Sequence, residues 1–271
     1  MMKVKALVLT GFGLNCDSET AYALKLAGAQ AEKVHINDLV NKNVSIKDYK
    51  ILVFGGGFSW GDEHGAGVLQ AVRMKTHLGE DIQRFIEKDN LILGICNGFQ
   101  TLVNFGLLPG FDIKSMERKV AVINNEHGNF IDDWVNLSVN GLSKSVFTKD
   151  INHLELPVRH GEGLFYTDDE TLEKIETNNQ AVLRYSLKDY SPAKGNYPFN
   201  PNGSLNDIAG ICDSTGRVFG LMPHPEAFVR WTQHPHWSVM KHKMEKEGRD
   251  LFSSSVPEGL KIFQNAVNYF S

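Results

Sequence analysis

The sequence predicts an α/β fold: an open, mainly parallel sheet with helices on both faces, extended by antiparallel strands. Three observations carry that reading. Short apolar, β-rich runs alternate with helical segments over the first 105 residues. A glycine-rich turn follows nearly every one of those runs, as at the carboxyl ends of parallel strands. Beyond residue 110 the strand-like runs follow one another with few helices between them, as antiparallel additions do.

The elements follow in order. Residues 4–10 (VKALVLT) form the first strand, which ends in a loop, Gly11-Phe12-Gly13-Leu14-Asn15-Cys16-Asp17. A helix over 19–27 follows, capped by Asp17 or Ser18 and ended by Gly28. Residues 31–36 and 50–54 are the second and third strands, and the third runs into Gly55-Gly56-Gly57-Phe58-Ser59-Trp60-Gly61-Asp62. A helix from about 66 to 88 leads to a fourth strand, 91–95, and then to a helix over 97–105. Strands over 119–124, 134–139 and 153–159, a helix over 170–177 and a strand over 180–186 continue the chain. The Pro-, Gly- and Asn-rich stretch 187–206 is too long for an ordinary connection. Two strands, 208–212 and 218–222, flank the turn Asp213-Ser214-Thr215-Gly216. A Trp/His-rich segment, a polar helix to about 246 and a helix over 258–270 close the chain. No repeat and no linker divides it, so a single domain spanning 1–271 is expected.

Composition excludes several classes. Net charge is −4 with no basic run, which argues against nucleic-acid binding. No apolar stretch reaches the roughly 18 residues of a membrane span. The opening Met1-Met2-Lys3-Val4-Lys5 is too poor in apolar residues for a signal peptide. Three scattered cysteines without a C-x-x-C pair fit reduced thiols and a cytoplasmic location, and they offer no zinc ribbon.

The chemistry centres on Gly94-Ile95-Cys96-Asn97-Gly98. Here a strand stops and a helix starts at a single cysteine, the thiol counterpart of the nucleophile elbow G-x-S-x-G. Glycines beside the nucleophile relieve crowding at the sharp turn. Helix N-termini stabilise anions, as a thiolate nucleophile requires. Taken alone, the pattern is equally that of a buried cysteine in a strand–helix turn.

A cysteine nucleophile needs a base, and His224 is well placed to be one. It follows a strand directly and lies between Pro223 and Pro225, which stiffen the backbone around it. Glu226, two residues on, points the same way in an extended segment and can orient the imidazole. The competing reading is a solvent-facing P-H-P-E loop. Gly56 and Gly57, lacking Cβ atoms, and the backbone N–H of Asn97 are candidates for an oxyanion hole. His160-Gly161-Glu162-Gly163 is a further candidate, against the plainer reading of a turn with a surface histidine. His234-Pro235-His236 lacks a carboxylate or cysteine to complete a ligand set, so no metal is expected. Cys16 and Cys212 read as small buried structural residues.

Together these residues resemble a known family. Gly94-x-Cys96-x-Gly98-x-Gln100, His224-Pro225-Glu226 and the glycine loop at 55–57 are similar to the class I (triad) glutamine amidotransferases. The segments 56–62, 96–100, 160–163, 206–210 and 222–226, with Asn15-Cys16-Asp17, more closely resemble the glutaminase subunits of phosphoribosylformylglycinamidine synthase. The motifs run from residue 15 to 226 in the family's order.

The resemblance implies a flavodoxin-like sheet and a Cys96–His224–Glu226 triad. This triad would hydrolyse L-glutamine to glutamate and ammonia. It implies glutamine contacts from Gln100, His160 and Gly161, and an oxyanion hole near Gly56, Gly57 and Asn97. The expected partners are an ATP-using synthetase (large) subunit, which takes the ammonia in de novo purine biosynthesis, and a small bridging subunit. No cofactor is expected on this chain, since ATP and Mg belong to the partner.

Three departures stand out. Ala227 occupies the position of the family's usual Arg, the loop 11–14 differs from the family's shorter form, and 187–206 and 228–250 look like insertions. Two other functions compete: a glutaminase serving a different ATP-dependent synthetase or a cysteine hydrolase on a similar sheet, and a non-catalytic regulatory homologue.

Overall fold

A computed structural model describes residues 3–271; Met1 and Met2, part of the N-terminal run read above, lie outside the described residues. In chain order the elements are β1 (Lys5–Thr10), α1 (Asp17–Leu26), β2 (Gln30–His35), α2 (Ile36–Val40), β3 (Ile51–Phe54), α3 (Val68–Glu87), β4 (Leu91–Ile95) and α4 (Asn97–Phe105). There follow β5 (Ala121–Asn124), β6 (Ile131–Val139), β7 (His153–His160), β8 (Glu162–Tyr166), α5 (Asp169–Thr177) and β9 (Ala181–Ser186). The chain ends with β10 (Ile208–Cys212), β11 (Val218–Leu221), α6 (Trp237–Lys246), α7 (Leu251–Ser254) and α8 (Glu258–Asn268).

Nine strands form one sheet in the order β2-β1-β3-β4-β11-β10-β9-β6-β7. The first five are mutually parallel and the rest pair antiparallel. The central parallel strands are apolar on both faces, because helices cover both: Ile51–Phe54 and Leu91–Ile95 are buried at every position. On the helical layers α1 packs against α8, and α3 packs against α2 and α4. The apolar periodicity of α3 places Met74, Leu78, Ile82, Phe85 and Ile86 inward. Each such side chain contributes about 1.5–3 kcal/mol on full burial.

The structure differs from the sequence expectation at four places. The strand expected at 119–124 does not extend the main sheet. As β5 it pairs with β8 in a separate two-stranded ribbon, and β8 was not anticipated because its Gly-rich start reads as a turn. The short helices α2 and α7 are set by local caps at His35 and Asp250 rather than by apolar periodicity. Helix α1 starts at Asp17 with no side-chain cap, and Asp17 instead pairs with Lys33 at 3.4 Å. The segment 187–206 is laid against the body of the protein, with Asn200, Asn202 and Ser204 buried. Among the described residues no helix is long and apolar enough to cross a membrane.

Candidate active site

The carboxyl edge of the parallel strands brings the predicted residues together. Cys96 stands between β4 and α4 with φ 51° and ψ −108°, left-handed backbone that a non-glycine residue adopts only under constraint. The constraint is visible. The Cys96 N–H donates to the Leu221 carbonyl at 2.8 Å, and Gln100 N–H donates to the Cys96 carbonyl at 3.1 Å. The flanking glycines are required by close approach. A Cβ on Gly98 would overlap the Phe54 carbonyl oxygen, and one on Gly94 would lie 2.6 Å from Leu102. Cys96 is 5 % exposed, with its sulfur 3.7 Å from the Arg159 carbonyl.

His224 and Glu226 leave β11 on the short turn that the two prolines shape. The His224 N–H donates to the Pro157 carbonyl of β7 at 2.8 Å, which locks the turn to the antiparallel strands. His224 Nδ1 lies 2.6 Å from Glu226 Oε1, with both residues 2 % exposed. The carboxylate therefore accepts a hydrogen bond from Nδ1–H and leaves Nε2, which has no hydrogen-bond partner, on the side of the cavity that the thiols line. Burial is the largest influence on His224 and opposes its protonation. The Glu226 carboxylate and the nearby Cys96 and Cys16 sulfurs act the other way, and the net direction is well above the ordinary histidine range. The buried carboxylate beside Nδ1 therefore favours the protonated imidazole.

Cys16 corrects the sequence reading. It is not a buried structural thiol but lines the same cavity as Cys96 and His224. This cavity, about 250 Å³, is also bounded by Asn15, Gly57 and Phe58, with Glu19 and Arg159 at its rim. A Cβ on Gly56 would lie 2.8 Å from His224 Cε1 and 3.2 Å from Cys16 Sγ, so that glycine gives the imidazole its place. A larger hollow of about 630 Å³ beside α2 and α3 contains neither a cysteine nor any residue of this site.

The remaining predicted residues form a supporting layer. Asn97 begins α4, where a helix amide has no intrahelical acceptor, and its N–H is free for an oxyanion. Its side chain has a second task that the sequence did not disclose. Asn97 Nδ2 donates to Asp62 Oδ1 at 2.9 Å and to Gln100 Oε1 at 3.2 Å, and Asn97 Oδ1 accepts from Ser59 N–H at 3.4 Å. The loop after β3 is thereby tied to the elbow. Asp62 is pushed up to about 6 by burial and by the Glu162 charge, against its hydrogen bond from Asn97.

Gln100 is 3 % exposed and donates to the Glu162 carbonyl at 2.5 Å. It does not line the cavity here, and neither do His160 and Gly161. His160 ends β7 and is buried, not a surface histidine. It lies 3.0 Å from Asn125 Oδ1, whose amide in turn donates to the His160 and Asn129 carbonyls. Burial and the nearby His224 charge bring His160 down to about 3, so it is neutral. His234 is buried against Trp134 and Phe228, with its Nε2 3.2 Å from Glu155 Oε2, a carboxylate that the sequence did not place there.

Fold and site together describe a cysteine–histidine–carboxylate centre at the edge of a flavodoxin-like sheet. A family model described as "CobB/CobQ-like glutamine amidotransferase domain" matches residues 3–270, and the chain belongs to that family. Among its relatives, phosphoribosylformylglycinamidine synthase subunit PurQ of Methanococcus maripaludis strain S2 is 45% identical, with 100% of each chain covered. The PurQ subunit of Dehalococcoides mccartyi is 46% identical over 99% of this chain and 98% of its own. Among solved structures, a chain of "Structure of PurLQS from Thermotoga maritima" matches with a TM-score of 0.70 and 31% identity, covering 100% of both chains.

Proposed function

We propose that the chain is the glutaminase subunit of a phosphoribosylformylglycinamidine synthase and that Cys96, His224 and Glu226 are its catalytic residues. The observation that carries the site assignment is the buried 2.6 Å contact between His224 Nδ1 and Glu226 Oε1. It leaves Nε2 open toward the Cys96 side of one cavity.

In this reading Cys96 Sγ attacks the side-chain amide carbon of L-glutamine, its proton having passed to His224 Nε2. The oxyanion is met by the N–H groups of Asn97 and Gly57, an arrangement typically worth about 3–4 kcal/mol per donor. His224 returns the proton to the leaving nitrogen, and ammonia departs. Water then cleaves the glutamyl thioester, with His224 acting as base, to release glutamate. Glu226 holds the imidazole in the required tautomer and offsets its charge. Gln100, His160 and Gly161 act on glutamine after the loop that holds Gln100 to Glu162 adjusts.

The ammonia passes to an ATP-using synthetase subunit, with a small third subunit in the same complex. The kinship with PurQ subunits and with a chain of the PurLQS structure supports that assembly. ATP and Mg act on the synthetase, and this subunit needs no cofactor of its own. The chain acts in the cytoplasm, as a single unit, with 187–206 and 228–250 as insertions.

Cys96→Ser tests the reading. The variant is expected to lose glutamine-dependent synthesis by at least about 10³-fold, while the complex keeps its ammonia-dependent synthesis. Loss of both activities together overturns the ammonia-donor role.

A further inference from the structure

The two oxyanion donors of the proposed reaction stand on separate elements. Gly57 lies on the loop after β3, and Asn97 opens α4. Neither N–H has a hydrogen-bond partner among the described residues, so both are free for a substrate oxygen. Two such donors act together only if their elements keep one spacing. The loop that carries Gly57 is not regular structure. Trp60, Gly61 and Asp62 follow one another with φ 54°, 68° and 54°, a left-handed run in which two residues are not glycine. One restraint on it is the loop after β1: Phe58 N–H donates to the Gly13 carbonyl at 3.0 Å, and Trp60 N–H to the Phe12 carbonyl at 2.6 Å. The other joins it to the elbow, through the fully buried side chain of Asn97.

We propose that Asp62 and the Asn97 side chain are positioning residues of the reaction: the Asp62 carboxylate orients the Asn97 amide, and that amide fixes the Gly57 loop against the start of α4, which keeps the two oxyanion donors in register.

The hydrogen bonds run in one direction. An ionised carboxylate only accepts, so Asn97 turns its NH2 group to Asp62, at 2.9 Å. Its oxygen is then the end left for the Ser59 N–H, at 3.4 Å. The NH2 group also meets Gln100 Oε1 at 3.2 Å, so Gln100 points its own Nε2 the other way, to the Glu162 carbonyl. One carboxylate thus sets the polarity of two buried amides, Asn97 and Gln100. The elements it couples are already in contact, since a Cβ on Gly98 would overlap the Phe54 carbonyl oxygen at the end of β3. Burial and the Glu162 charge push Asp62 up to about 6, which still leaves it ionised and an acceptor at neutral pH.

The consequence for rate rests on the reading of Cys96 as nucleophile, and the two are measured apart. Glutamine hydrolysis is followed in the assembled complex, beside alkylation of Cys96 by iodoacetamide read by mass spectrometry. Alkylation needs the thiol but forms no oxyanion.

Asp62→Leu is expected to lower kcat about 10²-fold, the scale of a small misplacement of catalytic groups, with the rate of Cys96 alkylation unchanged. Asp62→Asn still offers an oxygen to Asn97 and is expected to recover most of the loss. Asn97→Ala keeps the backbone N–H but removes the clamp. Its kcat is expected to fall as far as that of Asp62→Leu, and the double variant no further, because both break one chain of bonds. Should Asp62→Leu not fold, the comparison of kcat with alkylation in Asn97→Ala decides alone. Wild-type kcat in a folded Asp62→Leu chain overturns the assignment, and so do losses that multiply in the double variant. So does an alkylation rate that falls as far as kcat, since the nucleophile itself would then have moved, and so does an Asp62→Asn variant as slow as Asp62→Leu. Hydrolysis at the wild-type rate by Cys96→Ser would instead sink the nucleophile reading, whatever the Asp62 variants do.

Discussion

The two halves of the sheet do different work. The parallel half, β2-β1-β3-β4-β11, ends at one edge in the loops that carry Cys16, Gly56, Gly57, Cys96 and His224. The antiparallel half, β10-β9-β6-β7, contributes no reactive side chain to the triad. It supplies the Pro157 carbonyl that anchors His224 and the Arg159 carbonyl beside Cys96. Parallel strands all point one way, so their carboxyl ends gather at one edge and side chains distant in sequence converge there. Antiparallel neighbours scatter their ends but pair in long registers, such as the eight-residue pairing of β6 with β7. One half is therefore built to present and the other to hold. Substitutions on the first are expected to act on rate, and those on the second on stability.

The sharpest test of the presenting half is Glu226→Gln. It keeps the shape of the buried side chain but removes the charge and the tautomer control at Nδ1. Glutamine hydrolysis is expected to fall about 10²- to 10⁴-fold, with the melting temperature little changed. An equal loss of stability would show that Glu226 is a structural anchor and would dissolve the distinction between the halves.

Gly98→Ala belongs to the presenting half but tests its packing. The added Cβ would overlap the Phe54 carbonyl oxygen, in backbone rather than a movable side chain. A cost of about 1–3 kcal/mol or more is expected in denaturant unfolding, with activity lost alongside. A stable, active variant would mean that β3 and the elbow are not in close contact.

On the holding half, Asn125→Ala removes the amide that binds the His160 and Asn129 carbonyls and the acceptor beside His160 Nδ1. The His160 ring would be left buried and unpaired. The expected cost is about 1–3 kcal/mol in stability, read as a lower denaturant midpoint. An unchanged denaturant midpoint would show that the Asn125 amide does not hold the end of β7.

How much of this was legible follows the same division. The central strands β3 and β4 are buried at every position and run into Gly55 and the Cys96 elbow, so the runs ILVF and LILGI stood out. Cys96, His224 and Glu226 were readable because the elbow and the P-H-P-E turn are local patterns. The ribbon of β5 and β8 was not legible, because its register is set by contacts between segments some forty residues apart. The role of Cys16 was hidden for a related reason: nothing local in Asn15-Cys16-Asp17 says that the loops after β1 and β11 line one cavity. The same holds for the Asn97 side chain, whose partners Ser59 and Asp62 lie on another strand's loop. Gln100 shows the opposite case. Its place in a motif predicted a substrate contact, while its buried bonds to Asn97 and Glu162 place it in the scaffold of this state.

The smallest expected effect sits where the presenting half meets the β5–β8 ribbon. Asp62, on the loop after β3, faces Glu162 at the start of β8, and its carboxyl is pushed up to about 6 by burial and that neighbouring charge. In the unfolded chain it titrates near the ordinary value of about 3.9. Between these values the folded protein binds more protons than the unfolded one, so this group's contribution to stability falls as pH rises from about 4 toward 6 and beyond. Asp62 is only half buried, so solvent screening keeps the effect modest. Asp62→Asn, which stays uncharged and offers its amide oxygen to Asn97, is expected to flatten that part of the pH–stability curve. Its gain over wild type should appear above pH 6 and vanish near pH 4. If the two curves run parallel from pH 4 to 8, the Asp62–Glu162 repulsion is absent, and the seam between the presenting half and the β5–β8 ribbon is not under electrostatic tension.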